Sequence, residues 1–115
     1  MSGVTIASAP ETTGRAHRAY GLRSARLGGE FTAGTAGRLR NLFCQATARG
    51  ETRLILDLHA VTAMDACGVA ALLYGQRALD AEGGRLVLRA NRIVAWALKE
   101  SGTVPAFEIW NGAGM

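Results

Sequence analysis

The sequence predicts a single α/β domain with one mixed sheet of about four or five strands and with three or four helices. Apolar residues recur at helical spacing in separate stretches, and short aliphatic runs stand between those stretches. Strands that alternate with helices imply parallel strand pairs joined by right-handed crossovers. The chain has 115 residues, which matches the usual size of one domain.

The N-terminal part predicts a tail followed by two strands. Residues 1–14 are small and polar and are expected to form a flexible tail. Residues 15–31 alternate imperfectly between apolar and polar, which favours two short strands with a turn near Gly21. The folded domain is therefore expected to span residues 15–110, followed by a short C-terminal tail at 111–115.

A helix and a buried strand are predicted next. Apolar residues at helical spacing predict a helix from Thr35 that stops at Gly50. These apolar positions are Ala36, Leu39, Phe43 and Ala46. The run from Arg53 to Leu58 has few polar breaks and is typical of a strand buried on both faces. Residues 59–66 are expected to form a loop.

The remaining elements continue the alternation of helix and strand. A second helix is predicted from Cys67 to about Glu82, because Gly83 and Gly84 follow it. The next strand is predicted at 85–89. Asn91 is expected to cap a third helix that ends at Gly102. A last strand is predicted at 106–110.

The charge pattern and the cysteines of the sequence indicate which partners and which cellular compartment to expect. The formal net charge is +4, but the basic residues are scattered, so direct nucleic-acid binding is not expected. No apolar run approaches the ~20 residues that span a bilayer, so membrane insertion is not expected. The N-terminus lacks the pattern of a secretory signal. Cys44 and Cys67 lie far apart and are expected to be reduced thiols of a cytoplasmic protein.

The sequence carries no constellation of catalytic residues. It has no phosphate-binding glycine loop, no nucleophile elbow and no zinc-site spacing, so no enzyme activity, cofactor or metal is expected. Asp57 ends a predicted strand and is expected to bond to backbone groups of the loop. His59 is interpreted as an exposed loop residue. The competing enzyme hypothesis would use Cys67 as nucleophile and His59 as its base.

Several blocks of the sequence resemble one known family. They are LILDL at 54–58, VTAMDACG at 61–68 and GGRLVL at 83–88, with GEFT at 29–32 where that family has Gly-Glu-Leu-Asp. The spacing of these blocks also agrees with the family. From about residue 20 to residue 110 the chain resembles the STAS domain, the family of anti-sigma factor antagonists and of the cytoplasmic tails of sulfate transporters. The resemblance implies a STAS-like fold.

The resemblance also implies a non-enzymatic binding module that regulates transcription in bacteria. A typical antagonist of this family binds an anti-sigma factor that is itself a serine kinase, and thereby frees a sigma factor. The kinase phosphorylates the hydroxyl residue just before the glycine of the loop. The phosphorylated form is released, because the added negative charge opposes docking.

This chain departs from the family at the phosphorylation site. The phosphoacceptor position falls on Cys67, preceded by Ala66, and neither residue can accept phosphate from a serine/threonine kinase. Thr32 stands in place of a family aspartate. The predicted partner-binding and regulatory residues are Thr32, Asp65, Ala66, Cys67, Gly68 and Tyr74. We therefore expect partner binding that does not depend on phosphorylation of the loop.

Individual residues allow more than one interpretation. Asp65 is either a polar contact for the partner or the N-cap of the second helix, and both roles are compatible. Cys67 is either a small replacement for serine or a redox-sensitive thiol at a helix N-terminus. Tyr74 is a candidate interface anchor among small residues. Cys44, next to Phe43, is expected to fill the core.

Two further functions compete with the antagonist hypothesis. Some STAS proteins are cytoplasmic subunits that dock on the ATPase of a lipid or anion transporter, and the missing phosphoacceptor fits that role. Others are scaffolds or ligand sensors of stress complexes, for which the sequence offers no phosphate-binding motif. The identity of the partner distinguishes these functions.

Overall fold

A computed structural model describes residues 4–8 and 23–110 of the chain. In chain order these residues form β1 (Val4–Ser8), β2 (Arg23–Phe31), α1 (Ala36–Ala48), β3 (Arg53–Met64), α2 (Ala66–Ala81), β4 (Arg85–Arg89), α3 (Arg92–Ser101), a 3-10 turn (Val104–Ala106) and β5 (Glu108–Trp110). The predicted α/β class and the alternation of helix and strand after residue 35 are confirmed.

The described strands form one sheet in the order β1-β2-β3-β4-β5. β1 runs antiparallel to β2, whereas β2, β3, β4 and β5 pair in parallel, so the sheet is mixed as predicted. Each parallel pair requires a crossover, and α1, α2 and α3 supply the three crossovers. The carboxyl ends of the parallel strands therefore lie at one edge of the sheet.

The main core lies between one face of the sheet and the three helices. Alternate residues of β3 and β4 enter it, namely Leu54, Leu56, Leu58, Leu86 and Leu88. On the opposite face Ile55 and Val87 form a separate small buried cluster. The prediction that the first part of β3 is buried on both faces is therefore confirmed.

Helices α1 and α2 approach each other closely at one glycine. The predicted apolar positions of α1 are all buried, and Phe43 is fully so. A Cβ atom added to Gly75 of α2 would overlap the ring of Phe43. Gly75 and Ala71 of α2 are both buried. The absence of a side chain at Gly75 lets the two helices pack together.

The N-terminal region differs from its prediction. Val4–Ser8 form β1, although residues 1–14 were expected to be a tail. Of the two short strands predicted within 15–31, the second corresponds to β2 at Arg23–Phe31. The rest of that prediction, residues 15–22, lies outside the described residues, as does the predicted C-terminal tail at 111–115. Val4–Ser8 begin with three β-branched residues, but the run is too brief to identify a strand from the sequence.

Strand β3 is longer than predicted, and the expected loop at 59–66 is wrong for residues 59–64. The pairing of β2 with β3 shifts register twice. Around the first shift Arg26 pairs with Asp57 and Gly28 pairs with Ala60. β3 thus carries one more residue than β2 there, which is a β-bulge. A bulge interrupts the alternation of inward and outward side chains, so the sequence pattern resembles a loop.

Asn91 caps α3 as predicted and also binds α3 to the sheet. Its Oδ1 accepts a hydrogen bond from the backbone N–H of Val94 at 2.9 Å. Its Nδ2 donates to the carbonyl oxygens of His59 and Val61 at 3.1 and 2.8 Å. Gly102 ends α3 with a φ of 72°, a conformation that favours glycine.

The C-terminal strand is shorter than predicted. Pro105 lies within the 3-10 turn, so β5 begins at Glu108 instead of Ala106. The Nε of Arg85 donates to Oε1 of Glu108 at 2.8 Å, and this hydrogen bond holds the pKa of Glu108 below its ordinary value. The Arg85 guanidinium also lies 5.8 Å from the centre of the Trp110 ring.

Candidate functional site

The candidate site forms where β2 and β3 end side by side. Phe31 and Met64 are paired at the last position of the two strands. Asp65 follows directly, and its backbone N–H donates to the carbonyl oxygen of Phe31 at 3.2 Å. The turn that leads into α1 and the turn that leads into α2 are therefore adjacent.

The carboxylate of Asp65 connects these two turns. Its Oδ1 accepts hydrogen bonds from the backbone N–H groups of Cys67 at 2.8 Å and of Gly68 at 3.2 Å. Its Oδ2 accepts a hydrogen bond from the backbone N–H of Ala33, which lies in the turn before α1, at 3.2 Å. Asp65 is thus the N-cap of α2, as one of its two sequence interpretations expects, and it also fixes the turn before α1.

Gly68 is required by the closeness of these turns. It is buried in the first turn of α2, and an added Cβ would overlap the carbonyl oxygen of Phe31. The same Cβ would lie 3.0 Å from the Cγ of Met64. Gly68 therefore lets α2 begin directly against the end of β2.

The residues that directly precede Gly68 are exposed to solvent. Ala66 and Cys67 are exposed, and so is Asp65. Thr32 is half-buried beside them, and its carbonyl oxygen accepts from the backbone N–H groups of Thr35 and Ala36 at 2.9 and 2.8 Å. The structure therefore brings five of the six predicted site residues together. A group attached at Cys67 would project into solvent next to the Asp65 carboxylate.

Tyr74 lies apart from this group. It is about 10 Å further along α2 than Cys67, given the rise of an α-helix. Its hydroxyl lies 3.0 Å from the Sγ of Cys44 on α1, and this hydrogen bond raises the pKa of Tyr74 above its ordinary value. Cys44 is exposed, so the expectation that it fills the core is wrong. Tyr74 is 42% exposed, where α1 and α2 lie against each other.

His59 is paired with Asp57 and lies within a strand. Its Nδ1 lies 2.8 Å from Oδ1 of Asp57, which also accepts from the His59 backbone N–H at 3.1 Å. Partial burial raises the pKa of Asp57, but these hydrogen bonds and the charges of His59 and Arg89 outweigh it and hold the pKa below its ordinary value. The expected backbone bond of Asp57 is therefore present.

Long-range contacts supply the site residues that the sequence did not reveal. Ala33 contributes only its backbone N–H to Asp65, and Cys44 contributes a sulfur atom to Tyr74. Both partners are about thirty residues away in sequence. Backbone donors carry no side-chain signature, so no motif could have identified Ala33.

Residues 4–8 and 23–110 offer neither a candidate membrane span nor a candidate metal site. None of the helices there is both long and apolar enough to cross a membrane. Nor does this part of the chain group three or more His, Cys, Asp or Glu residues in a geometry that could hold a metal ion.

The parallel strands, the helices on one face and the Asp65–Gly68 start of α2 define a STAS-type α/β domain. A family model described as "Mlab, STAS domain" matches residues 24–101. The chain therefore belongs to the STAS family. The sequence has no significant match among curated proteins.

Solved structures share the fold. An anti-sigma factor antagonist from Mycobacterium paratuberculosis matches with a TM-score of 0.73 at 20% identity, over 95% of this chain and 86% of that chain. The anti-sigma factor antagonist SpoIIAA in its unphosphorylated form matches with a TM-score of 0.61 at 23% identity, over 78% and 79%. The Bacillus cell fate determinant SpoIIAA in its phosphorylated form matches with a TM-score of 0.60 at 24% identity, over 81% of this chain and 86% of that chain. These TM-scores show that the chain shares its fold with the three proteins.

Proposed function

We propose that this protein is a non-enzymatic binding module of the anti-sigma factor antagonist kind. In this proposal it binds a serine-kinase-like anti-sigma factor in the bacterial cytoplasm and thereby regulates sigma-factor-dependent transcription. Membership of the STAS family supports the proposal, as does the fold shared with anti-sigma factor antagonists.

The partner would dock on the exposed start of α2. We define the Asp65 surface as Thr32, Asp65, Ala66 and Cys67, with Gly68 beneath them and Tyr74 at its far margin. The observation that carries the proposal is the position of Asp65, whose carboxylate holds two adjacent turns in one rigid arrangement. A rigid surface loses little conformational entropy when a partner binds.

Binding would be constitutive with respect to loop phosphorylation. Cys67 has a thiol where the family accepts phosphate, and its side chain is exposed beside the Asp65 carboxylate. A phosphate there would add about −1.5 to −2 charge next to an existing negative charge. Without an acceptor hydroxyl at position 67, the kinase has no means of adding that charge, and the binding-competent form persists.

Capture of a partner from native lysate tests the proposal. Wild type is expected to capture a kinase-like anti-sigma factor, identified by mass spectrometry. Asp65→Lys is expected to reduce this capture at least tenfold, because it removes both the cap and the negative charge. Asp65→Asn keeps a side-chain acceptor for the Cys67 and Gly68 N–H groups, so it separates loss of charge from loss of structure.

Asp80→Lys is the matched control, because Asp80 is an exposed acid near the other end of α2. It makes the same change of charge and is expected to leave capture unaltered. The proposal is contradicted if wild type captures no anti-sigma factor. It is also contradicted if Asp65→Lys and Asp80→Lys bind equally well.

A second candidate is a STAS subunit that docks on the ATPase of a lipid or anion transporter. One observation favours it: position 67 carries no hydroxyl, so this role would not depend on phosphorylation of the loop. The same capture experiment distinguishes the candidates, because a transporter ATPase would be recovered in place of an anti-sigma factor.

A further inference from the structure

A cleft of about 370 Å³ lies between α1 and the starts of β2 and β3. We call it the arginine cleft and define it by Arg23, Arg38, Arg49 and Glu51, with Leu42 and Ala46 as its floor. Its volume falls within the range of ~300–1,000 Å³ that is usual for small-molecule sites. The Asp65 surface contributes no residue to it, so the cleft is a separate feature of the molecule.

Positive charge dominates the arginine cleft. Glu51 is shared by two arginines: its Oε2 lies 2.7 Å from Nη1 of Arg23, and its Oε1 lies 3.6 Å from Nε of Arg49. Among residues 23–110, Arg38 has no carboxylate within ion-pair distance. The three arginines and one glutamate leave a net charge of +2 on these residues.

The floor of the cleft is apolar and firmly held. Ala46 is 3% exposed and belongs to the main core, and Leu42 is a partly buried side chain packed against that core. Arg38, Leu42 and Ala46 of α1 and its C-cap Arg49 follow one another at intervals of three or four residues, so they share one face of the helix. Arg38 and Arg49 are separated by about 16 Å along the helix, with the apolar floor between them.

We propose that the arginine cleft binds a phosphate monoester with a short aliphatic body. Arg38 pairs with the phosphate group, because a guanidinium presents parallel N–H donors that match phosphate oxygens. The aliphatic body lies on Leu42 and Ala46 and buries apolar surface there. A phosphate monoester carries about −1.5 to −2 charge at neutral pH, which matches the charge of the cleft.

Calorimetric titration of the full chain with hexyl phosphate, inorganic phosphate and 1-hexanol tests this proposal. Hexyl phosphate is expected to bind at least tenfold more tightly than either of the other two, because only hexyl phosphate uses both the charge and the floor. Arg38→Ala is expected to weaken hexyl phosphate binding at least tenfold. Arg38 is exposed, so this variant is expected to fold normally.

Arg92→Ala is the matched control, since Arg92 is an exposed arginine on α3, outside the cleft. It removes the same charge and is expected to leave binding unchanged. The proposal is overturned if hexyl phosphate does not bind or binds no more tightly than inorganic phosphate. It is overturned equally if Arg38→Ala and Arg92→Ala weaken binding to the same extent, because the attraction would then be a general effect of net charge.

Discussion

Aspartate in place of Cys67 is expected to weaken binding of the captured partner at least tenfold. The new carboxylate would stand at an exposed position beside the carboxylate of Asp65, on the proposed docking surface. Like charges that must be desolvated together oppose association. The folded protein itself is expected to tolerate this change, because an acidic residue in the first turn of α2 interacts favourably with the helix dipole. Surface plasmon resonance with the purified partner measures the affinity.

Ala81→Asp is the control for this prediction. Ala81 is exposed at the last position of α2, about 21 Å along the helix from Cys67. The substitution therefore adds the same charge at a point far from the Asp65 surface. Its affinity should equal that of wild type. If Cys67→Asp also binds like wild type, the partner does not dock on the start of α2.

Alanine in place of Gly75 is expected to destabilise the protein by about 1–3 kcal/mol. The added methyl group would overlap the ring of Phe43, which is fully buried and cannot move outward without disturbing the core. Helices α1 and α2 would have to separate, and their packing positions the two turns of the candidate site. Denaturant unfolding monitored by circular dichroism measures the change in the free energy of unfolding.

Gly37→Ala is the matched control, because a Cβ built on Gly37 of α1 would meet no atom within 4 Å outside its own stretch of helix. This variant is expected to gain up to about 1 kcal/mol from the higher helix propensity of alanine. A double-mutant cycle with Phe43→Leu adds a second test, since the smaller side chain should reduce the cost of Gly75→Ala. Equal stabilities for Gly75→Ala and wild type would show that the helices do not meet at this point.

Elements defined by local signals were predictable from the sequence. The apolar spacing of α1 identifies its four buried positions, and Asn91 and Gly102 delimit α3, because caps and helical periodicity depend on residues within a few positions of one another. Both ends of β4 were predicted correctly, because its short aliphatic run lies between residues that break regular structure.

Elements defined by distant pairing were not predictable in this way. β1 pairs with β2 across a long separation in sequence, and its five residues are too few for a periodic signal. The second half of β3 pairs with β2 through bulges that break its alternation. The 3-10 turn around Pro105 shortens β5.

The candidate site was predictable at its centre and not at its margins. The block around Asp65 carries both a capping signal and the family resemblance, so its location was clear from the sequence. The third hydrogen bond of Asp65, to Ala33, depends on how β2 and β3 end together. The contact of Tyr74 with Cys44 depends on the distance between two helices, which Gly75 sets.

A phosphorylation assay with the captured anti-sigma factor and ATP tests whether Cys67 keeps the domain in its binding form. Wild type and Cys67→Ser would be incubated side by side, and intact mass and partner binding would be followed together. We expect wild type to gain no phosphate and to stay bound, whereas Cys67→Ser should gain one phosphate and be released. Phosphorylation of wild type with release of the partner would contradict the claim that Cys67 holds the domain in its binding form.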